Sequence, residues 1–293
     1  MTIARMLVPM AAAGAALLFA ATSVAEKPVF VEKDKLYTSF DLTVNLPSKS
    51  YFDGGREAKR DTFDREFAEQ YYEIGAIFGF RDTFDFLMSF PIHHYSLNTP
   101  TGDVGLPTVV VGDRGWTRLD YVGLGFRWKV PFPWYESALE TALQIPTGAR
   151  VDAVSDKQYL GDGRLALTLR YLARKDYAKK YFAQGEFGVE FVDERPQSRV
   201  TYALGGGARL HRYANVGLNL HGKSAVTAEN NENPFQDLPK EQAWLWLQPF
   251  IYANPCAPLG EKIEVRLAFD WLLTGRNVPL SHGINFGLAY MWF

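Results

Sequence analysis

The sequence predicts an all-β fold: a closed antiparallel barrel of about twelve strands, each long enough to cross a membrane. Three observations point to it. The last segment, His282–Phe293, alternates large apolar side chains (Ile284, Phe286, Leu288, Tyr290, Trp292) with small or polar ones (Asn285, Gly287, Ala289, Met291) and ends on an aromatic. Such alternating segments recur along the chain at about 11 residues or slightly more, which suits a tilted strand crossing a bilayer better than an ordinary globular strand. The connections between them alternate between short and long, as expected when tight turns lie on one side of a membrane and loops on the other.

Residues 1–25 come first. Arg5 supplies one positive charge, Met6–Ala21 is uncharged and mostly small or apolar, and Ser23 and Ala25 are the small residues a signal peptidase inspects. This reads as a secretory signal peptide cleaved after Ala25, too short and too rich in Ala for a membrane span. Residues 26–35 are expected to be a periplasmic N-terminal segment, and 36–293 the barrel.

The strands are predicted at Leu36–Leu46, Glu69–Phe80, Phe84–Tyr95, Trp116–Val130, Tyr135–Ile145, Arg164–Arg174, Tyr181–Val192, Arg199–His211, Asn215–Ala225, Gln242–Ala253, Glu261–Leu272 and Gly283–Phe293. The alternation assigns faces. Leu267, Phe269 and Trp271 share one side of their strand, and Arg266, Ala268 and Asp270 share the other. Backbone groups in lipid must all be paired, so the sheet must close, with the apolar set toward lipid and the other set toward the lumen. An Arg at Leu267 or Val189 would then meet hydrocarbon, and an Arg at Ala268 is expected to cost less. Aromatics, 15% of the chain, are enough to form girdles at both interfaces. Trp128, Phe132, Trp134, Tyr177 and Tyr181 fall at the short-turn rim. Tyr71, Phe191, Trp244 and Trp271 fall at the other.

Composition excludes other classes. No stretch after residue 25 has the run of about 20 apolar residues that a helical span needs. Charged residues are 22% of the chain, evenly spread, with a net charge of -2, so no nucleic-acid partner is expected. The single cysteine, Cys256, excludes an internal disulfide framework.

Three neighbouring motifs carry a family resemblance: Leu143–Gly148 (LQIPTG), Tyr159–Gly163 (YLGDG) and the strand Arg164–Tyr171 (RLALTLRY). Together they resemble the outer-membrane family of transporters of the MetA pathway of phenol degradation. The resemblance covers about a fifth of the chain. Pro146-Thr147-Gly148 also makes a good strand-ending turn on its own. The resemblance implies a barrel of about a dozen strands that admits small molecules, and transfers no substrate.

Function has to be sought in the lumen. Alternation points Arg127, Glu140, Arg170, Glu186, Arg209 and Arg266 inward, and these are the candidate pathway residues. Asp41, Glu73, His221, Glu264 and Asp270 share the inward parity. Opposite charges can pair and plug a narrow barrel, or line a wet path. Twelve strands enclose more space than the eight-stranded barrels that side chains just fill, which favours a narrow hydrated path. Neither sign dominates, so strong ion selectivity is not expected. The run Gly205-Gly206-Gly207 reads either as a notch that widens the pore or as a bend or recess for a neighbouring aromatic.

An enzymatic reading rests on His93-His94 followed by Tyr95-Ser96. Adjacent histidines on a strand face opposite ways, and no Gly-x-Ser-x-Gly occurs in the chain. The remaining histidines have no zinc-ligand spacing, and Asn230–Asp237 lacks the ordered ligands of an EF-hand. No catalytic residue, metal or cofactor is therefore expected. The expected function is an outer-membrane channel or transporter in a Gram-negative cell, for passive or ligand-gated uptake of a small molecule, aromatic or amphipathic ones included. The alternatives are a plugged barrel acting through its external loops in adhesion or assembly, and an outer-membrane hydrolase. Expected partners are outer-membrane lipid, a small-molecule solute, and the barrel-assembly machinery through Phe293, because strands ending on an aromatic resemble the closing strand which that machinery reads.

Overall fold

The structure, a computed structural model, describes residues 29–48, 50–52, 58–60, 66–98, 114–147, 165–178, 180–192, 198–211, 213–225, 243–255, 263–276 and 278–292. The signal-peptide segment, Arg164, the Asn230–Asp237 loop, Cys256 and Phe293 lie outside them. Twelve antiparallel strands form the wall: β1 (Leu36–Ser48), β2 (Glu66–Arg81), β3 (Phe84–Asn98), β4 (Arg114–Leu119 and Tyr121–Lys129), β5 (Glu136–Pro146), β6 (Ala166–Tyr177), β7 (Tyr181–Val192), β8 (Arg199–His211), β9 (Ala214–Ala225), β10 (Ala243–Ala253), β11 (Ile263–Arg276) and β12 (His282–Trp292). Each pairs with its neighbours in sequence, and β1 also pairs with β12, so the sheet is a closed ring. Closure pairs the wall strands on both sides, save Arg114–Leu119, which among the described residues pairs with β3 alone; pairing within the hydrocarbon is the condition lipid imposes.

The seam is in register from Leu36↔Trp292 to Asn45↔Gly283. The Trp292 indole N–H donates to Thr38 Oγ1 across it at 3.0 Å. Short turns join β2 to β3, β4 to β5, β6 to β7 and β8 to β9, and the start of β1 and the end of β12 lie at this rim. The four longest connections, β1–β2, β3–β4, β5–β6 and β9–β10, leave the opposite rim, as the spacing predicts, whereas β10–β11 is a connection of intermediate length at the short-turn rim. At the opposite rim, Ser50–Phe52 pairs with Ala58–Arg60 and with Val278–Pro279, tying the β1–β2 excursion to the β11–β12 connection.

The period of two sorts the two faces. Leu267 is 53% exposed, whereas Arg266 and Ala268 on either side are 4% and 3% exposed. On β12, Ile284, Phe286 and Leu288 face outward, while Asn285 and Ala289 are buried. The outer surface is an apolar band, and the polar residues are inside, the reverse of a soluble sandwich. Trp128, Trp134, Tyr177 and Tyr181 are exposed at the short-turn rim, and Phe191 and Trp271 at the other.

Two expectations are corrected. Predicted as one strand, β4 is interrupted at Asp120. The Asp120 amide donates to the Pro91 carbonyl at 3.0 Å, and its carbonyl accepts from Thr147 at 3.2 Å. Pro91 on β3 has no N–H to return to the ladder, and the break lets the Asp120 side chain turn inward. Tyr71 and Trp244, placed in the outer girdle, belong to the lumen. The Tyr71 ring lies 4.5 Å from that of His93, tilted by 50°, and Trp244 packs edge-on against His221 and Trp246. Their parity matches inward Glu73 and Gln248, which decides their side more firmly than nearness to a rim.

Candidate functional site in the barrel lumen

Four of the six candidate pathway residues form one ladder. Arg127 on β4, Glu140 on β5 and Arg170 on β6 are direct cross-strand partners. Arg127 donates to Glu140 Oε2 from Nε at 3.1 Å and from Nη2 at 2.7 Å. Arg170 Nη2 donates to Glu140 Oε1, and its Nη1 reaches Glu186 on β7 at 3.3 Å. Each carboxylate oxygen of Glu140 thus has its own guanidinium. Facing residues on adjacent strands lie about 5 Å apart, so inward charges of opposite sign meet without further construction. A buried pair of this kind persists only when its polar atoms are matched.

The other two candidates lie elsewhere. Arg266 on β11 reaches over β12 to Asp41 on β1 and donates to Asn285 Oδ1 from Nε at 3.1 Å and Nη2 at 2.7 Å. It can cross because Gly287 is in register between Arg266 and Asp41, and a Cβ there would lie 2.7 Å from Asp41 Oδ1. Arg209 is at the short-turn rim, pairing with half-exposed Asp176 at 2.7 Å.

The sequence reading missed a second ladder made of amides. Gln184 on β7 donates to Asn219 on β9 at 3.3 Å, Asn219 to Gln248 on β10 at 3.1 Å, and Gln248 to Asp270 on β11 at 2.6 Å. The first rung skips β8 at Gly205, where a Cβ would sit 1.9 Å from Asn219 Oδ1. Gly207 holds the Phe182 ring in the same way. The glycine run is therefore a recess for neighbouring side chains, an aromatic among them. Searching inward positions for charge alone hid this ladder, because three of its four members are neutral.

Between the charged ladder and β1–β3 lies a cavity of about 140 Å³. Its polar wall includes Glu73, Arg127, Arg170 and Glu186, and its apolar wall includes Ile77 and Leu87. Small residues on β1, β2 and β4 (Ser39, Gly75, Gly123) leave this space. Toward the loop side, His93 Nδ1 is bonded to Asp120, and Tyr71 donates to Glu73 at 3.1 Å. His94 instead contacts Thr117 Oγ1 at 2.7 Å, on the other face of β3. Across the lumen, Phe182, Phe250 and Ala268 form an apolar cluster. Ala268 is thus inward but packed against rings, so the mild cost expected for an Arg at this position is withdrawn. A lumenal position is permissive only where the lumen has room.

No protein-family model and no curated protein matches the chain. Among solved structures it is similar to the COG4313 outer membrane channel from Pseudomonas putida F1, with TM-score 0.66 and 12% identity over 93% of this chain and 100% of that one. It is also similar to the NanC porin, with TM-score 0.50 and 6% identity over 86% of this chain and 98% of that one. At these identities the likeness establishes architecture: the chain has the twelve-stranded barrel fold implied by its sequence resemblance, a fold it shares with outer-membrane channels.

Proposed function

We propose that this barrel is an outer-membrane channel for passive or ligand-gated uptake of a small, aromatic or amphipathic solute. The carrying observation is the cavity beside the Arg127–Glu140–Arg170–Glu186 ladder, which offers charged groups on one wall and Ile77 and Leu87 on another. Such a wall suits a solute with a polar end and an apolar body. The similarity to a channel and a porin supports the same reading. Export by residues 1–25 and assembly through Phe293 complete it. Deleting Phe293 is expected to lower the amount of barrel inserted, without unfolding barrels already assembled.

Single-channel recording in planar bilayers tests the function. Discrete current steps that small aromatic solutes block are expected, and block should weaken when Glu186 is changed to Gln. A second reading, a plugged barrel acting through its loops, draws support from the deep burial of Asp41, Arg127, Glu140 and Arg266. Silence in the bilayer together with unimpaired surface binding would favour it.

A further inference from the structure

The outer rim of the short-turn side is not evenly charged. Residues 174–180 (RKDYAKK), which close the β6–β7 hairpin, carry four cations against one acid. The β2–β3 turn instead sets Arg81 beside Asp82, and residues 130–135 between β4 and β5 are uncharged. The one acid of the basic turn is already used: Asp176 accepts from Arg174 Nε at 3.3 Å and from Arg209 Nη2 at 2.7 Å. Lys175 and Lys180 are left with aromatic faces. The Lys175 ammonium lies 5.3 Å from the centre of the Tyr177 ring, and the Lys180 ammonium 5.5 Å from that of Tyr181. Among the described residues no carboxylate pairs with either lysine. The turn keeps these groups together. Ala178 takes a φ of 49°, the Lys180 amide donates to Tyr177 O at 3.0 Å, and Tyr177 and Tyr181 are direct cross-strand partners. Facing residues there lie about 5 Å apart, so the two ammoniums flank one spot on the rim. The Arg209 amide donates to Lys180 O at 2.8 Å and fixes the turn against β8.

Lys175 has the parity of Leu167, Leu169 and Tyr177, so it points to lipid, two residues inside the aromatic girdle. Its rung continues with Ala183 on β7 and Gly206 on β8, small residues that leave its stem open to lipid. Elsewhere between the girdles the described outward side chains are uncharged. A lysine at this depth is tolerated when its ammonium snorkels to the interface and meets an anion there. We propose that Lys175 and Lys180, with Tyr177 and Tyr181 between them, form a headgroup site for an anionic phospholipid of the periplasmic leaflet. The short turns of an outer-membrane barrel lie on the periplasmic side, where the leaflet supplies phospholipid. Its phosphate sits at the depth of the girdle and complements both ammoniums, while its acyl chains run along the apolar band. A zwitterionic lipid brings an ammonium of its own, which the two lysines repel. An acidic periplasmic protein fits less well, because Lys175 faces the bilayer rather than the water beyond the rim. The site is separate from the lumen and does not depend on the channel reading.

The test titrates full-length barrels in detergent with phosphatidylglycerol or phosphatidylcholine and counts bound lipid by native mass spectrometry. Each basic group beside an anionic lipid surface strengthens binding about fivefold, so Lys175→Gln combined with Lys180→Gln should weaken phosphatidylglycerol binding about 25-fold. Lys175→Arg with Lys180→Arg should retain it, and Arg81→Gln should leave it unchanged. Phosphatidylcholine should bind weakly to the wild type and to all three variants. Added salt should weaken phosphatidylglycerol binding to the wild type and leave phosphatidylcholine binding as it was. Equal wild-type affinity for the two lipids would overturn the site. So would a double Gln variant that holds phosphatidylglycerol as tightly as the wild type. Binding of soluble polyglutamate through the same two lysines, without any preference for phosphatidylglycerol, would overturn the lipid and assign the rim to an acidic protein.

Discussion

The two ladders of the lumen solve the same packing problem differently. Between β4 and β7 the rungs are ions, each joining adjacent strands, and Glu140 serves two guanidiniums at once. Between β7 and β11 they are mostly amides, and one rung passes over β8 through the gap left by Gly205. A broken ionic rung leaves a buried charge facing another of its own sign. A broken amide rung leaves a neutral group with one bond fewer. The charged ladder is therefore the stiffer and more vulnerable of the two, and it is the one that borders the cavity.

The largest effect should come from Glu140→Ala. It brings Arg127 and Arg170 together without their shared anion and is expected to cost about 3–5 kcal/mol. Urea titration of barrels refolded into lipid vesicles measures it, and a loss no larger than that of an amide variant would erase the distinction between the ladders. The outer face sets the next scale. Leu267→Arg places a charge against hydrocarbon and should cost about 2–4 kcal/mol in the same assay. A cost near zero would mean that this face does not meet lipid. Gly205→Ala should cost about 1–3 kcal/mol, because its methyl displaces Asn219 and opens the amide ladder. Adding Asn219→Ala should then cost little more, and full additivity would show that Gly205 does not act through Asn219. Arg209→Ala should have the smallest effect, about 0.2–1 kcal/mol, since its partner Asp176 is half exposed and water screens the pair. Raising the salt concentration should shrink that difference further, while leaving the Glu140→Ala loss nearly intact.

Much of this was legible in the residues. β7 and β8 have the ends their alternation predicts, and all twelve strands occur in the predicted order, because facing toward lipid or lumen is a local property repeated every second residue. The contact of Arg127 with Glu140 needed the register as well as the parity, and the short β4–β5 turn supplies it. Trp244 faces the lumen because parity with Gln248, and not distance from a rim, sets its side. Asp120 broke a strand that periodicity made continuous, because the cause lies on the neighbouring strand at Pro91.

The sequence by itself determined a closed barrel of twelve strands with an apolar exterior and a charged interior, since a period of two over strands of this length has no other way to satisfy lipid and backbone together. Only the tertiary structure decided which inward residues meet. Arg266 finds Asp41, 225 positions earlier in the chain, because closure brings β12 against β1 and Gly287 lies between them. It also decided where Val29–Lys35 goes. That stretch has no periodicity to read: the Val31 amide donates to Asp85, Arg127 donates to the Val29 carbonyl, and a Cβ at Gly79 would meet the Glu32 carbonyl, three residues that register sets side by side on β2, β3 and β4.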